Sequence, residues 1–446
     1  MLTLHEAARG MGAESAGENI TFTGVTADSR AVQPGDLFVA LRGERFDGHQ
    51  FIAQAIASGA VAVMAVRDAA PEKIPALIVD DTRLGLGALA AFWRNRFTAP
   101  LVAITGSNGK TTVKEMLAAI LRAATGEDAV LATQGNLNNE IGMPLTLLKL
   151  RQCHRYAVLE MGMNHPGEIA YLSGLAKPDV ALINNAQAAH LEGLQDVRGV
   201  ARAKGEIYGG LQQNGMAVIN ADDANAPLWR ELAAGHRVLE FGLQPDAQVM
   251  ALYDLRGTGS AINVTTPRGK FFAELKVPGL HNVCNALAAI AAAEALGIDH
   301  GAMIAGLAQF SGVNGRLQLK HVLHGAVLID DTYNANPGSV RAALDVLGTA
   351  HGKKILVLGD MGELGSDAWE LHGEIGVYAR QCEIDMLFAL GEQSRNAVLQ
   401  FGKGGRHFER IQELLAEVEN LLAPGVTVLV KGSRFMQMER VVRSFE

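Results

Sequence analysis

Apolar residues along this chain fall into two rhythms. Short apolar runs at 101–104, 156–159, 180–183 and 217–219 have the length of buried strands, with helix-like stretches between them. After the first run, Val113, Met116, Leu117, Ile120 and Leu121 recur at i, i+3, i+4, i+7 and i+8, which is one face of a helix. A further amphipathic stretch, 84–97, precedes that run. Strands alternating with helices predict a mostly parallel sheet covered on both faces. Before residue 82 the texture differs: β-like runs at 36–41, 60–66 and 76–79 are separated by Gly and Pro turns, and polar residues gather at 28–30, 34–36 and 45–49. From about residue 314 the alternation resumes, with strands expected at 326–329, 355–358, 386–389 and 426–430. The pattern predicts an α/β protein of three domains, at 1–82, 83–313 and 314–446, the last a smaller, Rossmann-like doubly wound unit.

Composition narrows the classes of function. The 446 residues, 48% hydrophobic and 19% charged, suit a folded chain of several domains. Thirty-nine Lys+Arg against 47 Asp+Glu give a net charge of −8 with no basic block, so no nucleic-acid partner is expected. The most apolar stretch, 286–298, is alanine-rich and broken by Glu294, well short of the ~20 residues of a membrane span. No membrane insertion is expected. The first residues lack a basic start followed by an apolar core, and Cys153, Cys284 and Cys382 are few and far apart. Both features predict a cytoplasmic protein with reduced thiols.

The chemistry concentrates at residues 105–112, Thr-Gly-Ser-Asn-Gly-Lys-Thr-Thr, between the strand at 101–104 and the helix after it. Glycines let the backbone curl so that N–H groups face phosphate oxygens, and the helix adds the positive end of its dipole. Gly106, Ser107, Asn108, Gly109 and Thr112 would form this cradle. Lys110 would meet the β/γ-phosphates, and Thr111 offers a hydroxyl for Mg²⁺. The earlier glycine stands one residue later than the usual spacing, so the loop is a variant of the P-loop. A metal-bound nucleotide also needs a carboxylate, and Glu160 ends the strand at 156–159 where one could sit. His190 and Lys204 carry little weight as isolated residues.

Several further motifs follow in order: Gly-Asn-Leu-Asn-Asn-Glu-Ile-Gly-Met-Pro at 135–144, Glu-Met-Gly-Met-Asn-His at 160–165, Asn-Asn-Ala-Gln-Ala-Ala-His-Leu-Glu at 184–192, Ala-Lys-Gly-Glu at 203–206, and His-Asn-Val-Cys-Asn-Ala at 281–286. Gly315-Arg316, Asp-Asp-Thr-Tyr-Asn-Ala-Asn-Pro at 330–337, Gly-Asp-Met-Gly-Glu-Leu-Gly at 359–365 and Lys-Gly-Ser-Arg at 431–434 complete the set. Together with the glycine loop these resemble the Mur ligases, ATP-dependent amide ligases of peptidoglycan synthesis, over essentially the whole chain. The segments at 333–336 and 359–365 resemble the member that joins D-alanyl-D-alanine to UDP-N-acetylmuramoyl-tripeptide. The Asp-Asn-Pro-Arg signature of the ligase that adds the third amino acid does not occur here.

The resemblance implies roles for particular residues. Thr111 and Glu160 would hold one Mg²⁺ and His190 a second, and Lys204 would be carried as a carbamate. Asn282 and Asn285 would approach the adenine, Asp331 the ribose, and Arg316 the γ-phosphate. Asn138, Asn139, Tyr333, Asn334 and Asn336 would line the substrate cleft. Ser29, Arg30, Asp47, Gly48 and His49 lie in the domain that grips the UDP end of the substrate. The implied catalytic set is Lys110, Lys204, His190 and Arg316, in an enzyme expected to act as a monomer. A folylpolyglutamate-type ligase would share the loop and C-terminal domain but lack this N-terminal one. A motor or regulatory ATPase would leave the third domain unexplained.

Overall fold

The computed structural model describes residues 1–43, 46–188, 194 and 196–446. Its first unit is a five-stranded sheet of β1 (Glu14–Ala16), β2 (Gly24–Thr26), β3 (Asp36–Val39), β4 (Ala62–Val66) and β5 (Ala76–Val79). The spatial order is β1-β5-β4-β3-β2, parallel except at the β1 edge. Asp81 then caps helix α1 (Thr82–Arg94), its carboxylate accepting from the N–H groups of Arg83 and Leu84.

The central unit is a nine-stranded sheet. Its strands are β6 (Leu101–Thr105), β7 (Val130–Ala132), β8 (Tyr156–Glu160), β9 (Val180–Ile183), β10 (Met216–Asn220), β11 (Arg237–Gly242), β12 (Val249–Arg256), β13 (Gly259–Thr266) and β14 (Gly269–Leu275). The order is β14-β13-β12-β11-β10-β9-β6-β8-β7, parallel from β7 to β12 and antiparallel through β12, β13 and β14. The alternation of β6 explains its placement. Leu101 and Ala103 join a core with Leu86, Leu89 and Trp93 of α1 and with Leu37 and Met64 of the first sheet. Val102 and Ile104 face the other way, onto helices α2 (Lys110–Thr125), α3 (Leu280–Ala295) and α4 (His300–Gln309). The N-terminal sheet thus shares one continuous core with the central sheet through α1.

The C-terminal unit has six strands: β15 (Gln318–His321), β16 (Val327–Asp331), β17 (Lys353–Gly359), β18 (Met386–Leu390), β19 (Gly405–Phe408) and β20 (Val426–Lys431), in the order β15-β16-β20-β17-β18-β19. Only β15 runs antiparallel, and separate apolar clusters cover the two faces. The doubly wound organisation expected from sequence is therefore present. The antiparallel lobe β12–β14 and the edge strands β1, β15 and β19 go beyond it. Among the described residues no helix is long and apolar enough to cross a membrane.

Candidate functional site

The site grows out of the carboxyl end of β6, at the centre of the parallel run, where the sheets of such folds leave a crevice for ligands. The Thr105 hydroxyl donates to the Met161 carbonyl at 2.9 Å, fixing the end of β6 against β8. The chain then turns through Gly109, which sits at φ +80° and starts α2. A Cβ there would lie 2.2 Å from the Asn285 Oδ1 and 2.5 Å from the Asn184 Nδ2. Both the backbone strain and the clash act against Gly109→Ala. That variant is expected to bind ADP about 5- to 150-fold more weakly, as a titration of bound nucleotide would read, because ~1–3 kcal/mol of strain falls on the loop itself.

The loop is pinned from β9, which lies beside β6 with Ile183 opposite Thr105. The Asn185 Oδ1 accepts from the Asn108 N–H at 2.8 Å, and the Asn184 amide donates to the Asn108 carbonyl at 2.9 Å. The Ser107 hydroxyl donates to the Gln187 carbonyl at 3.2 Å and accepts from the Gln187 N–H at 2.9 Å. Asn184, Asn185 and Gln187 are site residues that the sequence reading left unassigned. Their signal was their position directly after an apolar strand run. Lys110 is folded back, donating to the carbonyls of Gly106 at 2.7 Å and Ser107 at 3.4 Å. Burial pushes its pKa down, against the opposing pull of Glu160.

Glu160 ends β8, one strand from the loop on the other side, and is 2% exposed. One carboxylate oxygen accepts from the Thr111 hydroxyl at 2.9 Å and the other from the Asn138 amide at 2.8 Å. Its own N–H donates to the Thr133 hydroxyl at 3.0 Å, and the buried Lys114 ammonium donates to the Thr133 carbonyl at 2.6 Å. Asn139 instead caps the following turn, accepting from the Gly142 N–H at 2.9 Å, so of the two asparagines it is Asn138 that touches the carboxylate. A hydroxyl and a carboxylate side by side are the hard oxygen donors that suit Mg²⁺. Among the described residues no group of three His, Cys, Asp or Glu side chains gathers to hold a metal. Mg²⁺ at nucleotide sites is usually held by one or two carboxylates together with substrate phosphates and water. His190 lies outside the described residues. Lys204, on helix α5 (Val197–Gly205), is 1% exposed. Burial drives its pKa well below the usual lysine value, and the Lys110 charge pushes the same way.

The C-terminal unit closes the other side. Arg316 reaches across to the Thr111 hydroxyl at 3.2 Å and lies over the Tyr333 ring, 4.3 Å from its centroid. Its Nε is buried with no hydrogen-bond partner, a donor whose cost an anion in the adjoining cavity would offset. Gly315 and Leu317, on either side of it, both have positive φ, and Asp331 accepts the Leu317 N–H at 3.2 Å. Asp331 therefore holds the turn that presents Arg316, and it is itself paired with the buried Lys431 ammonium, which also donates to the Asn334 carbonyl at 3.0 Å. Asn336 exchanges amide hydrogen bonds with Asn108 at 2.8 and 3.2 Å, tying the C-terminal unit to the glycine loop. On α3, Asn282 and Asn285 are linked at 3.2 Å, and Asn285 also accepts from Asn184 at 2.9 Å.

These elements enclose a cavity of about 970 Å³, bordered by Lys110, Glu160, Asn282, Arg316, Asp331 and Tyr333 among others. A cavity of that size, with cations and oxygen donors converging from two units, suits a nucleotide meeting a second polar substrate. The N-terminal candidates lie outside its lining. Ser29 contacts Gln54 at 3.4 Å, and Arg30 is exposed and paired with Asp28. Asp47 caps the short turn that begins at Gly48 and holds the His49 ring, whose Nε2 accepts from the Val66 N–H at 3.2 Å. That contact holds the Asp47 carboxyl down to about 2. Arg45, beside them in sequence, lies outside the described residues.

Comparison with known proteins agrees with this geometry. Three family models match: the Mur ligase family catalytic domain at residues 21–94, the Mur ligase middle domain at 104–293, and the Mur ligase glutamate ligase domain at 315–434. The UDP-N-acetylmuramoyl-tripeptide--D-alanyl-D-alanine ligase of Escherichia coli is 43% identical, aligned over 100% of this chain and 98% of that protein. A crystal structure of MurF from Acinetobacter baumannii superposes with a TM-score of 0.93 at 37% identity, covering 99% of this chain and 98% of that one. MurF ligase from Thermotoga maritima in complex with ADP gives a TM-score of 0.83 at 28% identity, covering 94% and 96%. On full-length identity and on fold, the chain belongs to the Mur ligase family.

Proposed function

We propose that this protein joins D-alanyl-D-alanine to UDP-N-acetylmuramoyl-tripeptide at the expense of ATP, giving the pentapeptide, ADP and phosphate. The observation that carries the reading is the convergence of Lys110, Glu160 and Arg316 on one cavity from two separate sheets, with the Thr111 hydroxyl bonded to both Glu160 and Arg316. Full-length identity to ligases named for this reaction supports the choice of substrates.

Amide formation from a carboxylate and an ammonium is uphill in water, because both partners are charged and hydroxide leaves poorly. Transfer of the γ-phosphoryl group removes that obstacle. A carboxylate oxygen of the tripeptide attacks the γ-phosphorus as the bond to the bridging oxygen of ADP breaks. The neutral amine of the dipeptide then adds to the acyl carbon, and the tetrahedral species collapses with loss of phosphate and a proton. In this reading the 106–112 loop cradles the phosphates, and Lys110 swings from the Gly106 carbonyl to the β/γ-oxygens. Arg316 supplies its orphan Nε to the transferring group. Asn282 and Asn285 face the adenine, Asp331 the ribose, and Tyr333, Asn334 and Asn336 the incoming dipeptide. Thr111 and Glu160 would hold one Mg²⁺, with Asn138 orienting the carboxylate, and His190 and a Lys204 carbamate would serve a second. Bound there, Mg²⁺ would neutralise the charge that builds up between the triphosphate and the carboxylate. Ser29, Arg30 and the turn at 47–49 would serve the UDP end, away from the cavity.

Domain boundaries at 82/83 and 313/314 are part of the proposal. The first falls in the opening turn of α1, directly after its Asp81 cap, and the Gly315 turn before β15 supports the second. A monomer working in the cytoplasm, where the three sparse cysteines would stay reduced, is also part of the proposal. Phosphate release is expected to require both UDP-N-acetylmuramoyl-tripeptide and D-alanyl-D-alanine. A coupled phosphate assay that omits each in turn reads this, and rapid release with ATP alone would instead mark a stand-alone ATPase. Diaminopimelate or lysine offered as the amine, with the UDP-muramoyl dipeptide, should give no product.

A further inference from the structure

Beside the main cavity, and sharing Glu140, Gly162 and Glu168 with it, lies a second cavity of about 240 Å³. Its walls are apolar where they come from Leu84, Tyr171 and Leu172, and the Arg83–Glu140 pair, 4.0 Å apart, also borders it. Position gives it meaning. Gly162 packs against Asn138, a Cβ there falling 2.9 Å from the Asn138 Oδ1, and Asn138 holds the Glu160 carboxylate. The cavity therefore opens one side chain away from the Glu160 carboxylate. The Tyr171 hydroxyl sits where a Gly87 side chain would be, 2.0 Å from a Cβ built there, so Gly87 makes room for this wall.

We propose that this second cavity holds the side chain of the acceptor peptide's third residue, and that the Arg83–Glu140 pair selects a side chain ending in an amino-acid zwitterion, as diaminopimelate does, over the lone ammonium of lysine. The inference rests on the ligase reading above. In that reading the reacting carboxyl comes up to the phosphates beside Glu160, and this cavity is the adjoining space. A cavity of about 240 Å³ has room for a side chain of the size of that of diaminopimelate. Its methylenes would cover the apolar walls. Its terminal carboxylate would meet the Arg83 guanidinium and its ammonium the Glu140 carboxylate, each replacing one half of the existing loose pair. Lysine would satisfy Glu140, with Glu168 also in the lining, but would leave the Arg83 guanidinium without the carboxylate that diaminopimelate brings.

The test compares UDP-muramoyl-tripeptides ending in diaminopimelate and in lysine, at saturating ATP and D-alanyl-D-alanine, in the wild type and in Arg83→Glu. The wild type should favour diaminopimelate by at least tenfold in kcat/KM, expressed mainly in KM. Arg83→Glu should erase or reverse that preference. Arg83 is more than half exposed, so the variant should fold, and its melting curve checks this. Equal use of both peptides by the wild type, or an equal loss on both in the variant, would overturn the assignment. Absence of ligation with either peptide would overturn the ligase reading instead. Calorimetric binding of the two peptides to the ATP-analogue complex would then still report the pocket's preference.

Discussion

A Lys110→Ala protein is expected to keep its fold and to form product about 10²–10³-fold more slowly than the wild type. The Lys110 ammonium follows a loop that has room for phosphates, and its internal partners are carbonyls of that same loop. Removing it costs little in folding, because burial already disfavours its charge. It removes a preorganised cation from the transferring phosphoryl group, and a single such donor is worth ~2.7–4 kcal/mol. The measurement is phosphate release under saturating substrates, with a melting curve to show that the variant is folded. Near-normal turnover in a folded Lys110→Ala protein would remove the glycine loop from the mechanism.

The second large effect concerns Lys204. A fully buried ammonium near Lys110 is doubly disfavoured, by desolvation and by repulsion. A pKa pushed down in this way leaves more of the side chain as neutral amine, the form that adds to CO₂. Addition of CO₂ with release of a proton would give a carbamate anion, which Lys110 would attract and which could serve Mg²⁺ as an Asp or Glu oxygen does. Lys204→Ala is therefore expected to lose at least 10²-fold in turnover, by the same measure as other lost charge-stabilising groups. Added formate or acetate should restore part of it by entering the vacated anion site, whereas Lys110→Ala should gain nothing from either. Stripping CO₂ from the buffer should slow the wild type. No carboxylate rescue, together with full wild-type activity without CO₂, would show that Lys204 works as a plain amine.

What the sequence made legible follows from the physics of each element. The runs at 101–104 and 180–183 are buried on both faces, so they read as strands without any partner in view, and they form β6 and β9. β12 carries Asp254, Leu255 and Arg256 on an exposed end, so its apolar run is too short to declare a strand. Its pairing with β13 is what makes it one. The phosphate loop was legible because its work is done by local spacing. Asn185 and Gln187 were not, because their role exists only once β9 lies against β6. In the same way, nothing in the spacing of Asn138 and Asn139 tells which meets Glu160, since that depends on how the chain turns before Gly142. Arg316 was assigned through resemblance alone. Its physical warrant, an orphan Nε and a contact with Thr111 from another sheet, appears only in the assembled molecule.

The central strand order carries a further implication. Glu160, the glycine loop and the asparagines that pin it leave from β8, β6 and β9, which are neighbours in space but separated by dozens of residues of chain. None of the three can hold its place until the middle of the sheet has paired. Nucleotide therefore has nothing to recognise in a partly folded chain, and it acts as a selective ligand of the finished fold. At a concentration one hundred times its dissociation constant such a ligand adds ~2.7 kcal/mol to stability. For a chain whose reserve is of the usual marginal size, the concentration of free nucleotide would then bear on how much of the protein stays folded as well as on how fast it works.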